Sequence, residues 1–356
     1  MSHVRRAWYL AMWSSEVAQA PVRRTICGEQ IAFYRGSDGA VRALGAACPH
    51  RGADLAEGTI VGNSLQCPFH GWRFDATGAC VQIPSQPADL AIPRSACVDA
   101  FPIAEQQGAV WVWPSTTHAP DEPAPHIPIL DRTNTLLTSP SEVLDAEFVN
   151  VVENAFDESN LYFLHTSTIG VSTPLVPRQL VSVSDDRREV TCRWDPDSPW
   201  GTELFDGYDA PSGTLDRWLR RRYGSPVHAE RRWHYRMGGV VWYHEPLDSG
   251  AVVGVVGAAT PLDERRTWFT TALIHPVVAS RVPTTAVRLW GRQLNREDKL
   301  GTVGLLTSAS EMDTPVSVVA DRGPNQFRRI HVEWLEREQI ESTSQLRVDT
   351  PAPWRS

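Results

Sequence analysis

The sequence predicts an α+β chain in two units. Residues 1–117 form a small β-rich domain, and residues 118–356 form a larger domain in which helices wrap a central antiparallel sheet. Three observations predict this. Short apolar runs separated by turn residues fill the first 113 positions. A proline-rich stretch, Pro114 to Pro128, then breaks the pattern. Beyond it the apolar period switches to helix, then strand, then helix again.

The elements follow in order. Trp8-Tyr9-Leu10-Ala11-Met12-Trp13 and Ile31-Ala32-Phe33-Tyr34 read as strands, and Gly36-Ser37-Asp38-Gly39 turns the second into Val41-Arg42-Ala43-Leu44 as a hairpin. Trp72 to Asp75, a turn at Ala76-Thr77-Gly78 and a strand near Cys80-Val81 come next. Gly108 to Trp113 closes the first unit. In the second, Val143, Leu144, Phe148, Val151, Val152, Ala155 and Phe156 recur at three and four and predict a helix over 141–165. Residues 178–275 return to strands, clearest at Val240-Val241-Trp242-Tyr243 and Trp268 to Ala272. Residues 284–306 and 323–340 read as helices.

The stretch from Cys48 to His70 carries the chemistry. It reads Cys48-Pro49-His50, sixteen residues, then Cys67-Pro68-Phe69-His70. Zinc sites pair their ligands as Cys-x2-Cys or His-x3-His, and redox pairs read Cys-x-x-Cys; neither pattern is present. Two Cys/His pairs at this separation are the ligand set of a Rieske [2Fe–2S] cluster, with thiolates on one iron and imidazoles on the other. Cys48, His50, Cys67 and His70 are therefore the expected cluster ligands.

Composition bounds the rest. A net charge of −8 argues against a nucleic-acid partner. A local basic run, Arg217 to Arg222 with Arg231 and Arg232, reads as a solvated face or as a docking patch for an acidic electron-transfer partner. No apolar window spans a membrane, and residues 1–14 lack a signal-peptide pattern. Cys27, Cys80, Cys97 and Cys192 show no pairing pattern and are expected as buried thiols. Together these point to a reducing cytoplasm.

A cluster that delivers electrons needs a receiver. Asn154, Asp157, Asn160 and His165 fall within the first predicted helix, and Glu297-Asp298-Lys299 on a later one. With the cluster motif, Trp8-Tyr9, Trp111-Val-Trp113 and Thr260-Pro261, these make the chain resemble the Rieske non-haem iron oxygenases, in particular the oxygenase components of the vanillate O-demethylase and dicamba monooxygenase kind. The resemblance covers nearly the whole chain. It implies a β-rich Rieske domain followed by a helix-grip-like catalytic domain. It also implies a mononuclear Fe(II) held by two histidines and one aspartate. NAD(P)H would act indirectly, through a separate reductase or ferredoxin, since no Gly-x-Gly-x-x-Gly motif is present.

The family motif Asp-x2-His-x4-His reads here Asp157-x2-Asn160-x4-His165, so asparagine stands where the first histidine is expected. By resemblance the metal set is Asn160, His165 and Asp298, with Asn154 and Asp157 beside it. Positions 160 and 165 lie about 140° apart on an ideal helix, so they converge only if the helix is distorted or ends between them. Four readings of Asn160 stand open. It coordinates through its amide oxygen, it leaves a position for water or substrate, the site has lost iron, or the residue is an introduced change. In the first, its amide N–H2 donates to Asp157. Asp157 itself is implied to accept a hydrogen bond from His70 of a neighbouring subunit in a head-to-tail homotrimer.

The implied activity is O2-dependent hydroxylation or O-/N-demethylation of a small, aromatic substrate. The alternatives are an electron-transfer or regulatory protein with an impaired iron site, and an oxidative cyclase or desaturase on an asparagine-containing iron centre. Trp200, Phe205, Trp218, Trp233 and Trp242 are candidate pocket walls. His234 and His244 read either as replacements for the missing ligand or as hydrogen-bonded strand residues, the second being the plainer reading.

Overall fold

The structure is a computed structural model that describes residues 3–87, 89–132, 137–168, 171, 173–195, 197, 221–225, 227, 230–274, 284–303, 305 and 316–349. Ten short strands come first: β1 (Tyr9–Trp13), β2 (Val22–Ile26), β3 (Glu29–Arg35), β4 (Val41–Gly45), β5 (Thr59–Val61), β6 (Ser64–Gln66), β7 (Arg73–Phe74), β8 (Cys80–Gln82), β9 (Ile103–Gln106) and β10 (Ala109–Val112). They make three antiparallel sheets, β2-β3-β4, β5-β6-β7-β8 and β1-β10-β9. The expected β3–β4 hairpin is present, turning at Gly39 with φ 82°.

The second part supplies β11 (Leu137–Thr138), β12 (Glu142–Leu144), β13 (Gln179–Val183), β14 (Glu189–Trp194), β15 (Arg232–Arg236), β16 (Val240–Pro246), β17 (Val252–Pro261) and β18 (Thr267–Ile274). These form one eight-stranded antiparallel sheet. From β13 to β18 it is a meander, and both β11 and β12 pair with β18. The helices are α1 (Phe148–Phe156), α2 (Thr284–Val303) and α3 (Arg322–Asp349).

Period-two alternation gives the large sheet two apolar faces. One carries Trp233, Tyr235, Val241 and Phe269 and packs on Phe148, Val152 and Phe156 of α1 and Phe327 and Ile330 of α3. The other carries Val240, Trp242, Val256 and Trp268 and packs on Trp8, Leu10, Trp111 and Trp113. Strands β1 and β10 therefore share their cores with the second part of the chain. Among the described residues, a separate small core gathers around the cluster motif, with Leu44, Cys48, Leu55, Leu65, Cys67 and Phe74, although Phe33 and Ala43 beside it face the shared core. The contact is close: Gly238, at φ 96°, lies so near the Trp8 carbonyl that a Cβ there would stand 1.9 Å from its oxygen. The proline-rich stretch is pinned as well, since Arg188 reaches Asp121 (2.9 Å) and Glu122 (2.6 Å) and Arg236 also reaches Glu122.

The first helix is much shorter than the sequence suggests. Positions 142–144 are strand β12, and α1 ends where Asp157 turns extended at φ −94°, ψ 115°. Asp157 Oδ1 accepts from Ser159 N (2.7 Å) and Ser159 Oγ (2.6 Å). This local turn competes with the next helical hydrogen bonds and stops the helix. Residues 158–164 run as turns.

Two further expectations change. Cys27, Cys80 and Cys192 are buried free thiols, but Cys97 is exposed. Arg231 does not join a solvated face: it is buried and bidentate on Glu245, at 3.0 and 2.8 Å. Its guanidinium lies 4.4 Å from the Trp194 ring centroid. Arg217 to Arg220 lie outside the described residues.

Candidate metal centres

The first site is built on twin turns. Cys48-Pro-His-Arg-Gly52 joins β4 to β5, and Cys67-Pro-Phe-His-Gly71 joins β6 to β7. Each glycine N–H donates to the cysteine carbonyl four residues back, at 2.8 and 3.1 Å. Each glycine sits at positive φ, 72° and 71°, a conformation that a side chain would strain. The two turns thus present their side chains in matching ways. Cys48 and Cys67 are buried, whereas His50 and His70 are exposed with ring centroids 4.5 Å apart. Trp72 stacks on His50 at 4.6 Å and 4°.

Burial pushes the Cys48 thiol up to about 11, with the neighbouring Cys67 adding to it and the His50 and Arg51 N–H groups opposing. A thiol this hard to ionise is a poor nucleophile, and a metal that displaces its proton would make it a thiolate. Among the described residues, no three or more His, Cys, Asp and Glu side chains stand where one ion could take them all. The set divides instead into two buried thiols and two outer imidazoles. That division suits a group with two unlike metal centres.

The second site lies between the large sheet and the helices. Asn154, Asp157, Asn160, His165 and Asp298 line one cavity of about 50 Å3, with Trp233, Tyr243, Phe269 and Thr271 on its far wall. Because α1 stops at Phe156, positions 160 and 165 sit in the turns beyond it, and the 140° separation does not apply. Asn154 anchors the cluster of polar groups. Its Nδ2 donates to Asp298 Oδ1 (2.9 Å), while its carbonyl oxygen and Oδ1 accept from Asn160 Nδ2 at 2.9 and 3.2 Å. The Asn160 amide expected on Asp157 is instead spent on Asn154, while Asp157 Oδ1 takes both Ser159 donors.

His165 stands between two carboxylates on α2. Glu297 Oε2 is 3.3 Å from Nδ1, and Asp298 Oδ1 is 3.4 Å from Nε2. Burial holds the imidazole below its usual value, and therefore neutral, with Glu297 opposing. Burial pushes the Asp298 carboxyl up to about 7; the Asn154 amide works against this and Glu297 adds to it. Asn160 Oδ1 is buried without a hydrogen-bond partner among the described residues. An orphaned amide oxygen, a neutral imidazole and a carboxylate short of positive charge share one small cavity. The donor set fits a divalent cation of the nitrogen- and oxygen-binding class.

Of the candidate pocket walls, Trp233 lines this cavity. Trp242 packs on the opposite face of the sheet, and Trp200, Phe205 and Trp218 lie outside the described residues. His234 and His244 are not ligand replacements: neither lines the cavity, and they stack with each other at 5.4 Å. Sequence reasoning missed Thr168 and Gln293, both bonded to Glu297. The i,i+4 spacing of Gln293 and Glu297 on α2 was the available signal.

Comparisons with known proteins add to this geometry. Residues 7–102 match the Rieske [2Fe-2S] domain, and residues 144–337 match the vanillate O-demethylase oxygenase C-terminal domain. The vanillate O-demethylase oxygenase subunit of a Pseudomonas strain is 26% identical over 281 residues, 74% of this chain and 75% of that protein. The dicamba O-demethylase oxygenase component of Stenotrophomonas maltophilia is 44% identical over 114 residues, 32% of this chain and 33% of that one. Protein TIC 55 of Arabidopsis thaliana is 34% identical over 163 residues, 45% of this chain. The chain thus spans only 30% and 33% of the lengths of TIC 55 and the dicamba protein. In fold, the crystal structure of dicamba monooxygenase bound to 3,6-dichlorosalicylic acid superposes with a TM-score of 0.74 at 23% identity, covering 96% of this chain and 99% of that one.

Proposed function

From its membership in the family of vanillate O-demethylase-type oxygenases with an N-terminal Rieske [2Fe-2S] domain, to which this chain belongs, we propose that it is the terminal oxygenase component of a multi-protein system. The activity is O2-dependent hydroxylation or O-/N-demethylation of a small aromatic compound. NAD(P)H is oxidised by a separate reductase, with or without a ferredoxin. The chain divides by role at about residue 117, electron entry before it and catalysis after it, and works in the cytoplasm. Among the described residues, no helix is long and apolar enough to cross a membrane.

Cys48, His50, Cys67 and His70 would hold the cluster, and Asn160, His165 and Asp298 the mononuclear iron. When bound, these groups supply single electrons and the reduction of O2 next to the substrate. The chain's own residues do the rest. Asn154 holds both the Asp298 carboxylate and the Asn160 amide, so that the Asn160 oxygen is left for the metal. Trp233, Tyr243 and Phe269 keep the cavity apolar opposite the donors. At about 50 Å3 the cavity holds one or two waters, far less than the roughly 150 Å3 that takes up benzene.

The observation that carries the proposal is the unpartnered Asn160 oxygen in the cavity of His165 and Asp298, in a chain with a full cluster ligand set. The test is iron and acid-labile sulfide per chain after anaerobic purification. One iron beyond the cluster's two supports it. An Asn160→His variant should then bind Fe(II) more tightly by roughly tenfold or more, about 1.4 kcal/mol. No third iron, even with Fe(II) added and in Asn160→His, would leave the electron-transfer reading in its place.

The head-to-tail homotrimer is part of the proposal. Two exposed aromatic tips support it: Phe69, beside His70, is 62% exposed, and Phe163, in the turn after Asp157, is 73% exposed. Phe163→Asp is expected to shift the assembly to smaller species in light scattering. An unchanged mass would remove Phe163 from the interface.

A further inference from the structure

We infer that Glu297 is a positioning residue for the second site: its carboxylate fixes the tautomer of His165 and so turns the Nε2 lone pair toward Asp298. The inference rests on the reading of that site as a metal centre. Glu297 and Asp298 are consecutive on α2, about 100° apart around the helix, and reach the imidazole from its two nitrogens. Glu297 Oε2 lies 3.3 Å from Nδ1, and Asp298 Oδ1 lies 3.4 Å from Nε2. Glu297 is only 3% exposed, and His165 and Asp298 are buried with it.

A neutral imidazole has a single N–H, so it can serve only one of the two carboxylates. The other partners of Glu297 decide which. Its Oε1 accepts from the Ser167 backbone N–H (3.1 Å) and from the Gln293 amide Nε2 (3.3 Å), and its Oε2 accepts from the Thr168 hydroxyl. A carboxylate ringed by donors is an acceptor throughout, and what it takes from His165 is the Nδ1 proton. Nε2 is then bare, and it faces an Asp298 oxygen that accepts from Asn154. Two acceptors 3.4 Å apart repel one another unless a cation or a shared proton joins them. A carboxylate behind a metal-binding histidine orients the ring and raises its basicity, and its loss costs about 10- to 100-fold in metal affinity. Here the same carboxylate also ties the 165–168 turn to α2.

The test uses the full chain with its cluster oxidised and Mn(II) as the probe, counted through the EPR signal of the free ion. Wild type should bind Mn(II) at the second site. Glu297→Gln should bind it about 10- to 100-fold more weakly. Its thermal midpoint in the Mn-free protein should also fall, because one amide oxygen cannot accept from all four donors, so the affinity is the deciding readout. A Mn(II) affinity within twofold of wild type overturns the inference, as does a lowered midpoint with affinity intact, which marks a purely structural residue. Where Glu297→Gln fails to fold, Glu297→Asp keeps the charge but draws it back from Nδ1, and the same fall in affinity is expected. Wild type that binds no Mn(II) takes down the metal reading itself, and this inference with it.

Discussion

Asp298→Asn is expected to empty the second site and stop turnover without unfolding the protein. The substitution keeps the shape of the side chain and an acceptor for Asn154 Nδ2, and it removes only the charge. Asp298 is the one formally anionic group among the three proposed ligands, since Asn160 and His165 are neutral. Its loss should cost more than the roughly 100-fold that follows when a partner behind a ligand is removed. Iron beyond the cluster's two and substrate-coupled O2 uptake should both disappear, while the visible spectrum of the cluster stays. Stability should move the other way. The Asp298 carboxyl is pushed up to about 7 by burial, so without metal the charge is a liability to the fold. The metal-free variant should match or exceed metal-free wild type in thermal midpoint. Iron retained in Asp298→Asn would mean that another residue supplies the charge.

Cys67→Ser should have the larger effect on the protein as a whole. Cys67 is buried in the small core that runs from Ala32 to Ala96, alongside Cys48, Leu65 and Phe74. The free energy of binding a metal group between two such turns is also folding free energy for the segment that makes them. The variant should lack visible absorbance, iron and acid-labile sulfide, and should unfold at a distinctly lower temperature than wild type. Cys97→Ser, at an exposed position, is the control that leaves colour and midpoint unchanged. A coloured Cys67→Ser protein would take Cys67 out of the ligand set.

These two sites were not equally legible in the sequence. The cluster ligands fall in two short turns, each with its own proline and glycine, so local spacing carried the reading. The second site joins residues 160, 165 and 298, and what brings them together is the end of a helix. Val143 and Leu144 stand at helical spacing from Phe148, yet they belong to β12, where Val143 is exposed and Leu144 buried. Leu161 and Leu164 prolong the apolar period past Phe156, but the turn that Asp157 makes with Ser159 ends the helix there. Arg231 looked like part of a surface charge run. Its partner Glu245 comes opposite only once the β15–β16 register pairs Arg232 with His244. In each case tertiary pairing, invisible to a linear pattern, decided the outcome.

The tryptophan-rich seam between β1, β10 and the outer face of the large sheet bears on recombination. A chimera joined at the proline-rich stretch would set one protein's Trp8, Trp111 and Trp113 against another's Trp242 and Trp268, and one donor's acidic linker against another's arginines. The residues that pack mainly among themselves form a shorter segment, from Ala46 to Ala96. Exchanging that piece alone, and leaving β1, β9 and β10 native, moves all four proposed cluster ligands as one cassette and leaves the seam uncut.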